Sequence, residues 1–457
     1  MHATQSKVQL ESYQEDGVRF LAARTTALLA DEMGLGKSAQ LIRAADEIGA
    51  KRAVVVCPAI ARVNWGREIQ KFAARRGAAV IIESKKDIAP ACKGSFRWYI
   101  LSYDLVGKFV EYLTSKAGWK KFFDVLIGDE IHLVKNRKTK RAKSLLGEAG
   151  LVRLCLRFWP ASGTPMPNNP SELWLLLKVM GVTRLNYAQF TKRYCNCFGG
   201  WDERFKQYTP LVITGAKKET APELKHMLSQ VMLRRKARGY LKQDYALQTF
   251  YLPKPATVPL SVAQHFTNEE LETIEHEEQQ AVNISDLNSL MLQADSISTL
   301  RRFNGLLKVA PVLSLVSQEL EADAYQKIVI FAHHKQVIHH IWSGLRFYHS
   351  QIITGEGSAA KKQTAIDLFQ NNPAARVVVA SILAAGTAIN LTAASHVLIV
   401  EPDYVPANNQ QAICRVLRRG NDQKVFVRLA CLAHSVDERI TEIIKDKLDD
   451  INIIIGS

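Results

Sequence analysis

The sequence has no long hydrophobic run. None of its segments reaches the roughly 20 consecutive apolar residues that a membrane-spanning helix requires. The stretch from Met1 to Gln14 also lacks the apolar core of a secretory signal peptide. These two absences predict an intracellular, cytoplasmic protein that has no membrane among its partners.

Cysteine is scarce as well. The seven cysteines are odd in number and scattered along the 457 residues, which argues against a disulfide framework and fits reduced thiols. Cys195 and Cys197 are close in sequence, but no second pair or histidine cluster completes the four ligands of a tetrahedral zinc site. We therefore expect neither disulfide bonds nor structural zinc.

Acidic residues are too few to balance the basic ones. Asp and Glu number 44 against 60 Lys and Arg, which gives a net charge of +16 and a pI near 9.4. Such an excess favours a polyanionic partner, because each phosphate contact releases counterions. Charge alone does not identify that partner. The hydrophobic content of 47% is that of a globular chain with real cores.

Short apolar runs alternate with segments of helical periodicity in both halves of the chain. Runs of this kind are typical of strands that are buried on both faces of a parallel sheet. They lie at 27–30, 53–56, 80–82, 99–101 and 125–127 in the first half and at 328–331, 377–380, 397–400 and 425–427 in the second. The sequence therefore predicts an α/β fold with two parallel-sheet lobes.

The stretch between the two sets of runs differs in pattern. Residues 215–325 are mostly of helical periodicity and carry acidic patches. We expect an N-terminal lobe of residues 1–252 with a helical protrusion at about 185–250. A C-terminal lobe of residues 253–457 would follow, beginning with a helical segment at about 259–322.

A candidate phosphate-binding loop lies near the start of the chain. Residues 27–40, ALLADEMGLGKSAQ, follow the pattern of a strand, a glycine-rich turn and the start of a helix. Gly34 and Gly36 permit a tight turn whose backbone N–H groups point at phosphate oxygens, and the helix N-terminus favours the same anion. Lys37 is expected to bind the β- and γ-phosphates of ATP, and Ser38 to ligate Mg²⁺.

The loop departs from the usual pattern at one position. Asp31 stands where the eight-position phosphate-loop pattern has its first glycine. A glycine-rich turn that binds no phosphate is therefore the alternative interpretation. If the loop does bind ATP, Met33 and Leu35 complete its candidate contacts.

An acidic box follows another apolar run. Residues 124–136, DVLIGDEIHLVKN, place two adjacent carboxylates at the carboxyl end of a strand, where ligand sites of open α/β sheets form. Asp129 is the candidate partner of Mg²⁺, which is held by one or two carboxylates together with phosphate oxygens. Glu130 is the candidate base for the attacking water. A solvated turn after the strand is the alternative.

Three polar residues near this box are candidates for coupling. His132 is either a coupling residue or a polar residue at the edge of the sheet. Ser162 and Thr164 belong to the segment PASGTP at 160–165. Their hydroxyl groups can link the nucleotide site to a nucleic-acid groove, although a simple turn is the alternative.

Basic and aromatic residues near the box offer nucleic-acid contacts. The run KNRKTKRAK at 135–143, which begins with Lys135, either binds phosphates or forms a solvated helix face. Trp65 and Trp159 could stack on bases, but their apolar neighbours favour burial.

The second half contains a pair of arginines and a loop of small residues. Arg415 and Arg418, in QQAICRVLRRG at 410–420, would share one face of a helix and can stabilise charge on a γ-phosphoryl group. A basic helix that faces solvent or nucleic acid is the alternative. Gly386, in SILAAGTAINL, would permit close approach of a nucleic-acid backbone.

Seven stretches, in chain order, resemble the motifs of a superfamily-two helicase core of the Swi/Snf-related type. They are LESYQEDGVRFL, ADEMGLGKS, VVCPAIARVNWGREIQKF, DEIHLVKN, ASGTP, SILAAGTAINLTAA and QQAICRVLRR. Four further stretches, FTKRYCNCF, ELKHMLSQVMLRR, LRRFNGLLKVAPVL and IVIFAHHKQVI, resemble the HepA-related, annealing-helicase-like branch, in its compact phage or bacterial form.

The resemblance implies a fold and an activity. The fold would be two tandem RecA-like lobes with a helical insertion between them. The activity would be ATP hydrolysis, with Mg²⁺, that moves a monomeric motor along duplex or branched DNA, with RNA a less favoured partner. Gln14 would then read adenine, Gln411 would contact ATP, and Arg415 and Arg418 would be arginine fingers.

The sequence departs from the family pattern at five positions. Ser38 replaces the usual threonine, and Ile131 replaces a small residue. Ala385 and Ala388 stand where glycines are common, and Cys414 stands where an acidic residue usually precedes the first arginine. These changes leave the ATP chemistry intact but put coupling and nucleic-acid specificity in doubt. A strand-separating DNA or RNA helicase and a non-catalytic nucleic-acid clamp are the alternatives.

Overall fold

The structure is a computed structural model, and it describes most of the chain. The described residues are 8–75, 77–117, 122–202, 207–237, 245–283, 294–356, 359–385, 389–417 and 425–455. Described residues of 1–197, 215–240 and 450–457 form one compact unit, and those of 198–214 and 241–449 form a second. Within these ranges no helix combines the length and apolarity needed to cross a membrane.

The first part of the chain alternates strands and helices. The strands are β1 (Leu28–Leu29), β2 (Ala53–Cys57), β3 (Ala79–Ile82), β4 (Trp98–Ser102), β5 (Phe123–Asp129), β6 (Cys155–Ala161), β7 (Cys195–Asp202), β8 (Gln207–Ala216) and β9 (Met232–Leu233). The helices are α1 (Ser12–Ala22), α2 (Lys37–Glu47), α3 (Arg62–Phe72), α4 (Ile88–Lys93), α5 (Val106–Ala117), α6 (Lys140–Leu146), α7 (Trp174–Val179), α8 (Tyr187–Tyr194) and α9 (Ala221–Ser229).

The second part of the chain repeats this alternation. The strands are β10 (Tyr245–Leu252), β11 (Ile328–Ala332), β12 (Gln351–Ile353), β13 (Val377–Ser381), β14 (His396–Ile399) and β15 (Val425–Leu432). The helices are α10 (Leu260–Ala263), α11 (Asn268–Asn283), α12 (Ala294–Glu321), α13 (Lys335–Gly344), α14 (Ala359–Asn371), α15 (Ile382–Ala385), α16 (Pro406–Ile413) and α17 (Val436–Ile455).

Each unit contains one parallel sheet, as the apolar runs predict. The first sheet has the order β3-β4-β2-β5-β6-β1-β9 and the second has the order β10-β15-β14-β11-β13-β12. Every pair of neighbouring strands in both sheets is parallel. Successive residues of the same strand, such as Val54 and Val55, pack into separate apolar cores on the two faces of the first sheet. The predicted α/β class is therefore confirmed.

The region between about 185 and 250, expected to be a helical protrusion, contains strands as well as helices. β7 and β8 form a two-stranded sheet of their own, and β9 pairs with β1 at the edge of the first sheet. β10 pairs with β15 along its whole length. β10 ends at Leu252 and belongs to the second sheet. The expected lobe boundary at 252–253 therefore lies on the C-terminal side of that strand. The domain boundaries stay predictions.

A buried lysine ties α12 to the second sheet. Lys308 is almost fully buried, and its Nζ lies 2.6 Å from Asp437 Oδ2 and 2.5 Å from the main-chain oxygen of Val400. The same Asp437 oxygen accepts the backbone N–H of Leu432 at 3.1 Å. Removing one member of a buried ion pair leaves an uncompensated charge, which is costly.

We predict that Lys308→Met destabilises this part of the second unit by about 3–5 kcal/mol, because Asp437 would remain buried without its cation. Hydrogen exchange of the β14 and β15 amides measures the local opening free energy. Lys335→Met is the matched control, because Lys335 pairs with Glu356 where both side chains are exposed. Equal exchange rates in the two variants would contradict the prediction.

Candidate nucleotide-binding site

Four neighbouring strands of the first sheet have their carboxyl ends side by side, at what is here called one edge of the sheet. The order β5-β6-β1-β9 is parallel, and the register places both Asp129 and Leu29 opposite Ala161. The segments that follow these strands therefore emerge side by side. They are the acidic box, the ASGTP segment, the glycine-rich turn and an arginine pair at 234–235.

The glycine-rich turn has the predicted strand–turn–helix form. It leads from the fully buried β1 into α2, whose N-cap is Gly36. Gly34 and Gly36 have φ values of 86° and 73°, a left-handed conformation that glycine adopts without a steric penalty. The turn thus presents the N-terminus of α2, which suits an anion. The ATP contacts assigned to Met33, Gly34, Leu35, Gly36 and Ser38 stay predictions.

Lys37 lies between this turn and the segment after β6. Its Nζ donates to the main-chain oxygens of Asp31, at 2.8 Å, and Glu32, at 3.4 Å. A Cβ placed on Gly163 would lie 3.4 Å from the same Nζ and 3.2 Å from Met33 Cγ. Glycine in the ASGTP segment therefore permits close contact with the turn. The sequence analysis singled out its neighbours Ser162 and Thr164 and missed Gly163.

Gln14 contacts the turn itself. Its Oε1 accepts the backbone N–H of Glu11 at 3.1 Å, and its Nε2 donates to the main-chain oxygen of Leu35 at 3.1 Å. The Tyr13 hydroxyl donates to the same oxygen at 3.4 Å. The resemblance assigned Gln14 to adenine, and that contact stays a prediction. The structure adds a second contact, because Gln14 binds the backbone of the candidate phosphate loop.

Asp129 is held by two hydrogen bonds at the end of β5. The indole N–H of Trp65 donates to its Oδ2 at 2.8 Å, and the Tyr103 hydroxyl donates to its main-chain oxygen at 2.6 Å. Burial and the adjacent Glu130 carboxylate raise the pKa of Asp129 to about 6, against the opposing effects of Trp65 and Lys37. The burial expected of Trp65 is confirmed, and its polar edge orients a carboxylate.

Glu130 has an unusual backbone conformation. Its φ of 53° and ψ of 51° are left-handed, which costs a residue with a side chain about 1–2 kcal/mol. The turn brings its carboxylate to Ser162, whose Oγ donates to Glu130 Oε2 at 3.3 Å. Local strain of this kind concentrates at functional sites, where the surrounding fold imposes it.

Ser162 joins Glu130 to His132 and Thr164. Its Oγ lies 2.9 Å from His132 Nδ1 and accepts the Thr164 backbone N–H at 3.1 Å. Because the Ser162 hydroxyl donates to Glu130, its oxygen accepts from His132, which carries a proton on Nδ1. Burial lowers the pKa of His132, which favours the neutral ring. This cluster supports a coupling role for His132, Ser162 and Thr164, although the role itself stays a prediction.

The basic run after the acidic box is partly engaged within the chain. Lys135 Nζ lies 2.5 Å from Glu172 Oε1, and the guanidinium of Arg137 lies 4.5 Å from the ring centre of Tyr187. Arg141 forms a two-pronged pair with Asp104 at 2.6 and 2.9 Å. The assignment of Lys135 to nucleic acid stays a prediction, and any such contact would compete with Glu172.

Two arginines that follow β9 are functional candidates that sequence reasoning missed. Arg235 forms a two-pronged pair with the fully buried Asp31, and Arg234 donates to the main-chain oxygens of Ala30, at 3.0 Å, and Gly163, at 3.1 Å. Burial lowers the pKa of Arg234. The available signal was the LRR triplet in a stretch used only to recognise the family branch.

Of the arginine pair predicted in the second unit, the described residue Arg415 lies outside the expected helix. α16 ends at Ile413, and Arg415 lies in the turn that follows. The main-chain oxygen of Arg415 accepts the Leu391 N–H at 2.9 Å, a contact from outside the helix. The prediction that Arg415 lies on a helix is therefore wrong, and its proposed role at the γ-phosphoryl group stays a prediction. Gln411 is buried in α16, whereas Arg418 and Gly386 lie outside the described residues.

The donor atoms at this edge fit Mg²⁺. Ser38 in the first turn of α2 offers a hydroxyl and Asp129 offers a carboxylate, the hard oxygen ligands that this ion prefers. Two adjacent carboxylates, Asp129 and Glu130, concentrate negative charge here, which a divalent cation would offset. Ser38 and Asp129 are the residues that would hold the ion.

These features define an α/β protein of two parallel-sheet units with a candidate nucleotide-binding site in the first unit. Residues 13–305 match the family model described as the SNF2-related domain. Residues 311–420 match the helicase conserved C-terminal domain. The chain belongs to the SNF2-related family.

Several known proteins are similar to this chain. It is 28% identical, over 96% of its length, to the SWI/SNF-related matrix-associated actin-dependent regulator of chromatin subfamily A-like protein 1 homolog of Caenorhabditis elegans. It is 27% identical, over 92% of its length, to the DNA annealing helicase and endonuclease ZRANB3 of Mus musculus. The chain spans 61% of the first relative and 38% of the second.

One solved structure is also similar along the whole chain. It is the Sulfolobus solfataricus SWI2/SNF2 ATPase core in complex with dsDNA, with 20% sequence identity and a TM-score of 0.43. The match covers 100% of this chain and 95% of that one.

We predict that Glu130→Gln retains ATP binding but lowers hydrolysis on the order of 100-fold or more, because an amide cannot accept the proton of water. The amide can still accept the Ser162 hydrogen bond, so the cluster should persist. Equilibrium binding of a fluorescent ATP analogue and single-turnover hydrolysis are the two measurements. Glu83→Gln, at an exposed position of the same unit, is the control. Loss of binding in Glu130→Gln would contradict the role assigned to Glu130.

We also predict that Trp65→Phe raises the Mg²⁺ concentration for half-maximal hydrolysis by about tenfold or more, because the donor that orients Asp129 is lost. Trp159→Phe is the matched control, since that buried indole donates to the main-chain oxygen of Arg24 and contacts no carboxylate in the acidic box. The same Mg²⁺ dependence in both variants would show that the Trp65 hydrogen bond is not needed.

Proposed function

We propose that this chain hydrolyses ATP to drive movement along, or remodelling of, duplex or branched DNA. The main supporting observation is that Lys37, Asp129 and Glu130 lie on segments that follow neighbouring parallel strands, where Ser162 contacts Glu130 and Gly163 adjoins Lys37. DNA is favoured as the track because relatives across most of the chain include a protein named a DNA annealing helicase. The net charge of +16 is consistent with a polyanionic partner.

Each residue of the site has a proposed task. The ammonium of Lys37 and the backbone N–H groups at the start of α2 bind the phosphates. Ser38 and Asp129 would hold Mg²⁺, which would supply positive charge to the phosphate oxygens. Glu130 orients the attacking water and accepts its proton. Gln14 and Gln411 contact the nucleotide.

The coupling to DNA is proposed to run through the ASGTP segment. Ser162 contacts Glu130 directly, while Gly163 adjoins Lys37. A displacement of this short segment would therefore reach the catalytic carboxylate and the phosphate-binding lysine together. Lys135, Thr164 and Gly386 are proposed contacts on the DNA side, and Arg415 and Arg418 are proposed to stabilise charge on the γ-phosphoryl group.

We predict that duplex DNA stimulates phosphate release by the wild-type chain and that Lys37→Ala abolishes this turnover, because the main phosphate-binding cation is lost. Rates should be measured without nucleic acid and with single-stranded, duplex and forked DNA and with RNA. Lys51→Ala is the matched control. Lys51 is exposed and precedes β2, so it lies near the amino end of that strand, away from the carboxyl ends that form the candidate site. Turnover no higher than that of Lys37→Ala under every condition would eliminate the motor in favour of a non-catalytic clamp.

Two displacement assays separate translocation from strand separation. A translocase should displace the third strand of a triplex while leaving a plain duplex intact. Release of the paired strand with equal efficiency would favour a strand-separating helicase. Stimulation by RNA alone would remove DNA as the proposed track.

A further inference from the structure

The phosphate loop is held from beneath by a buried polar cluster that the catalytic assignment does not use. Its members are Asp31, Gln40, Arg235 and Tyr13, hereafter the loop clamp. Asp31 is 0% exposed and Arg235 is 8% exposed, so both charges are withdrawn from water. A buried ion pair of this type is maintained only when its geometry and remaining hydrogen bonds are good.

Arg235 satisfies that condition through several nitrogen atoms at once. Its Nε donates to Asp31 Oδ1 at 2.9 Å, and its Nη2 donates to Asp31 Oδ2 at 2.5 Å and to Gln40 Oε1 at 2.7 Å. Its Nη1 donates to the main-chain oxygen of Tyr13. The guanidinium thereby connects α1, the start of the loop and α2 in a single planar contact.

The clamp reaches the two main-chain positions that shape the phosphate-binding turn. Asp31 supplies the oxygen that accepts from Lys37 Nζ at 2.8 Å. Gln40 donates both to Asp31 Oδ2, at 3.0 Å, and to the main-chain oxygen of Leu35, at 3.2 Å. The clamp therefore fixes the loop at its first residue and again just before Gly36.

The clamp also explains why the loop begins with aspartate. A glycine at position 31 could not form the pair, and Arg235 would then be a buried cation without its counter-charge. Asp31, which departs from the common phosphate-loop pattern, is thus explained by its pairing with Arg235, 204 positions further along the chain.

We propose that Arg235 is a positioning residue for nucleotide binding, which acts through Asp31 and Gln40 on the phosphate loop. The proposal rests on the function proposed above, because it assigns the residues that set the geometry of that same site. The loop contacts phosphates of ATP and ADP alike. Loss of the clamp should therefore weaken the binding of both nucleotides and change the rate of the bound complex much less.

The test compares Arg235→Gln, Arg235→Lys and Asp31→Asn with the wild-type full chain. The dissociation constants of fluorescent ATP and ADP analogues should rise by about 10- to 100-fold. A displacement of the binding loop by about 1 Å has effects of this size. KM for ATP should rise with them, while kcat falls by less. Arg235→Lys should not restore affinity, because a point charge cannot make the forked contacts.

Arg193→Gln is the matched control. Arg193 forms a similar pair with Glu223 in the first unit, at 2.8 Å, but both side chains are about half exposed. It should leave nucleotide affinity at the wild-type value. Unchanged dissociation constants in folded Arg235→Gln, with the same KM as the control, would overturn the proposal.

The double variant Asp31→Asn/Arg235→Gln separates positioning from simple stability. It contains no unpaired buried charge, so it should recover thermal stability relative to either single variant. The shorter amide side chain at position 235 cannot contact position 31, Gln40 and the main chain of Tyr13 at the same time. Nucleotide affinity should therefore stay reduced. Recovery of affinity along with stability would show that the clamp is merely structural.

The same measurements distinguish a failure of the clamp from a failure of the motor. Nucleotide binding by the wild-type chain without DNA-stimulated turnover would refute the motor while leaving the clamp measurable. A motor with normal DNA stimulation but with nucleotide affinity unaffected by Arg235→Gln would refute the clamp alone.

Discussion

Parallel pairing of β5, β6, β1 and β9 is the constraint on which the candidate site depends. Strands that run in the same direction deliver the residues after each of them to a common edge of the sheet. The register is strongly specified, because a slip of one residue would exchange the side chains between the two apolar faces. Strand pairing and burial therefore bring residues as distant in sequence as Lys37, Glu130 and Ser162 to the same end of the sheet.

Polar groups at that edge are held in states that are costly in isolation. Glu130 adopts a left-handed backbone, and Asp129 is a partly buried carboxylate beside a second one. The hydrophobic cores of the first unit offset these costs, since each face of the sheet buries a continuous apolar cluster. Local violations of favourable geometry at an otherwise regular sheet are typical of functional sites. The strained backbone and adjacent carboxylates of the acidic box are thus better explained by a role in the candidate site than by a contribution to the stability of the fold.

The features visible in the sequence were those with a local signature. Apolar runs predicted both parallel sheets, and the DEMGLGKS and DEIH segments predicted the loop and the carboxylates. What the sequence concealed depended on long-range partners. Arg235 follows a strand of only two residues, Met232–Leu233, which shows no measurable periodicity, and its partner Asp31 looked like a mere departure from a pattern. Arg415, in the turn after α16, likewise has a long-range partner, because its main-chain oxygen accepts the Leu391 N–H.

The distribution of positive charge follows the same logic and limits what net charge can reveal. Lys135, Arg141, Arg234 and Arg235 all count toward the basic excess, yet each pairs with a carboxylate of the same unit. Such cations organise the fold and the phosphate loop and are less available to a polyanion. Within the described part of the chain, the exposed Lys138, Lys140 and Lys143 have no ion-pair partner, so the basic run could still contribute counterion release through these three. A nucleic-acid surface is therefore defined by unpaired cations and not by the charge sum.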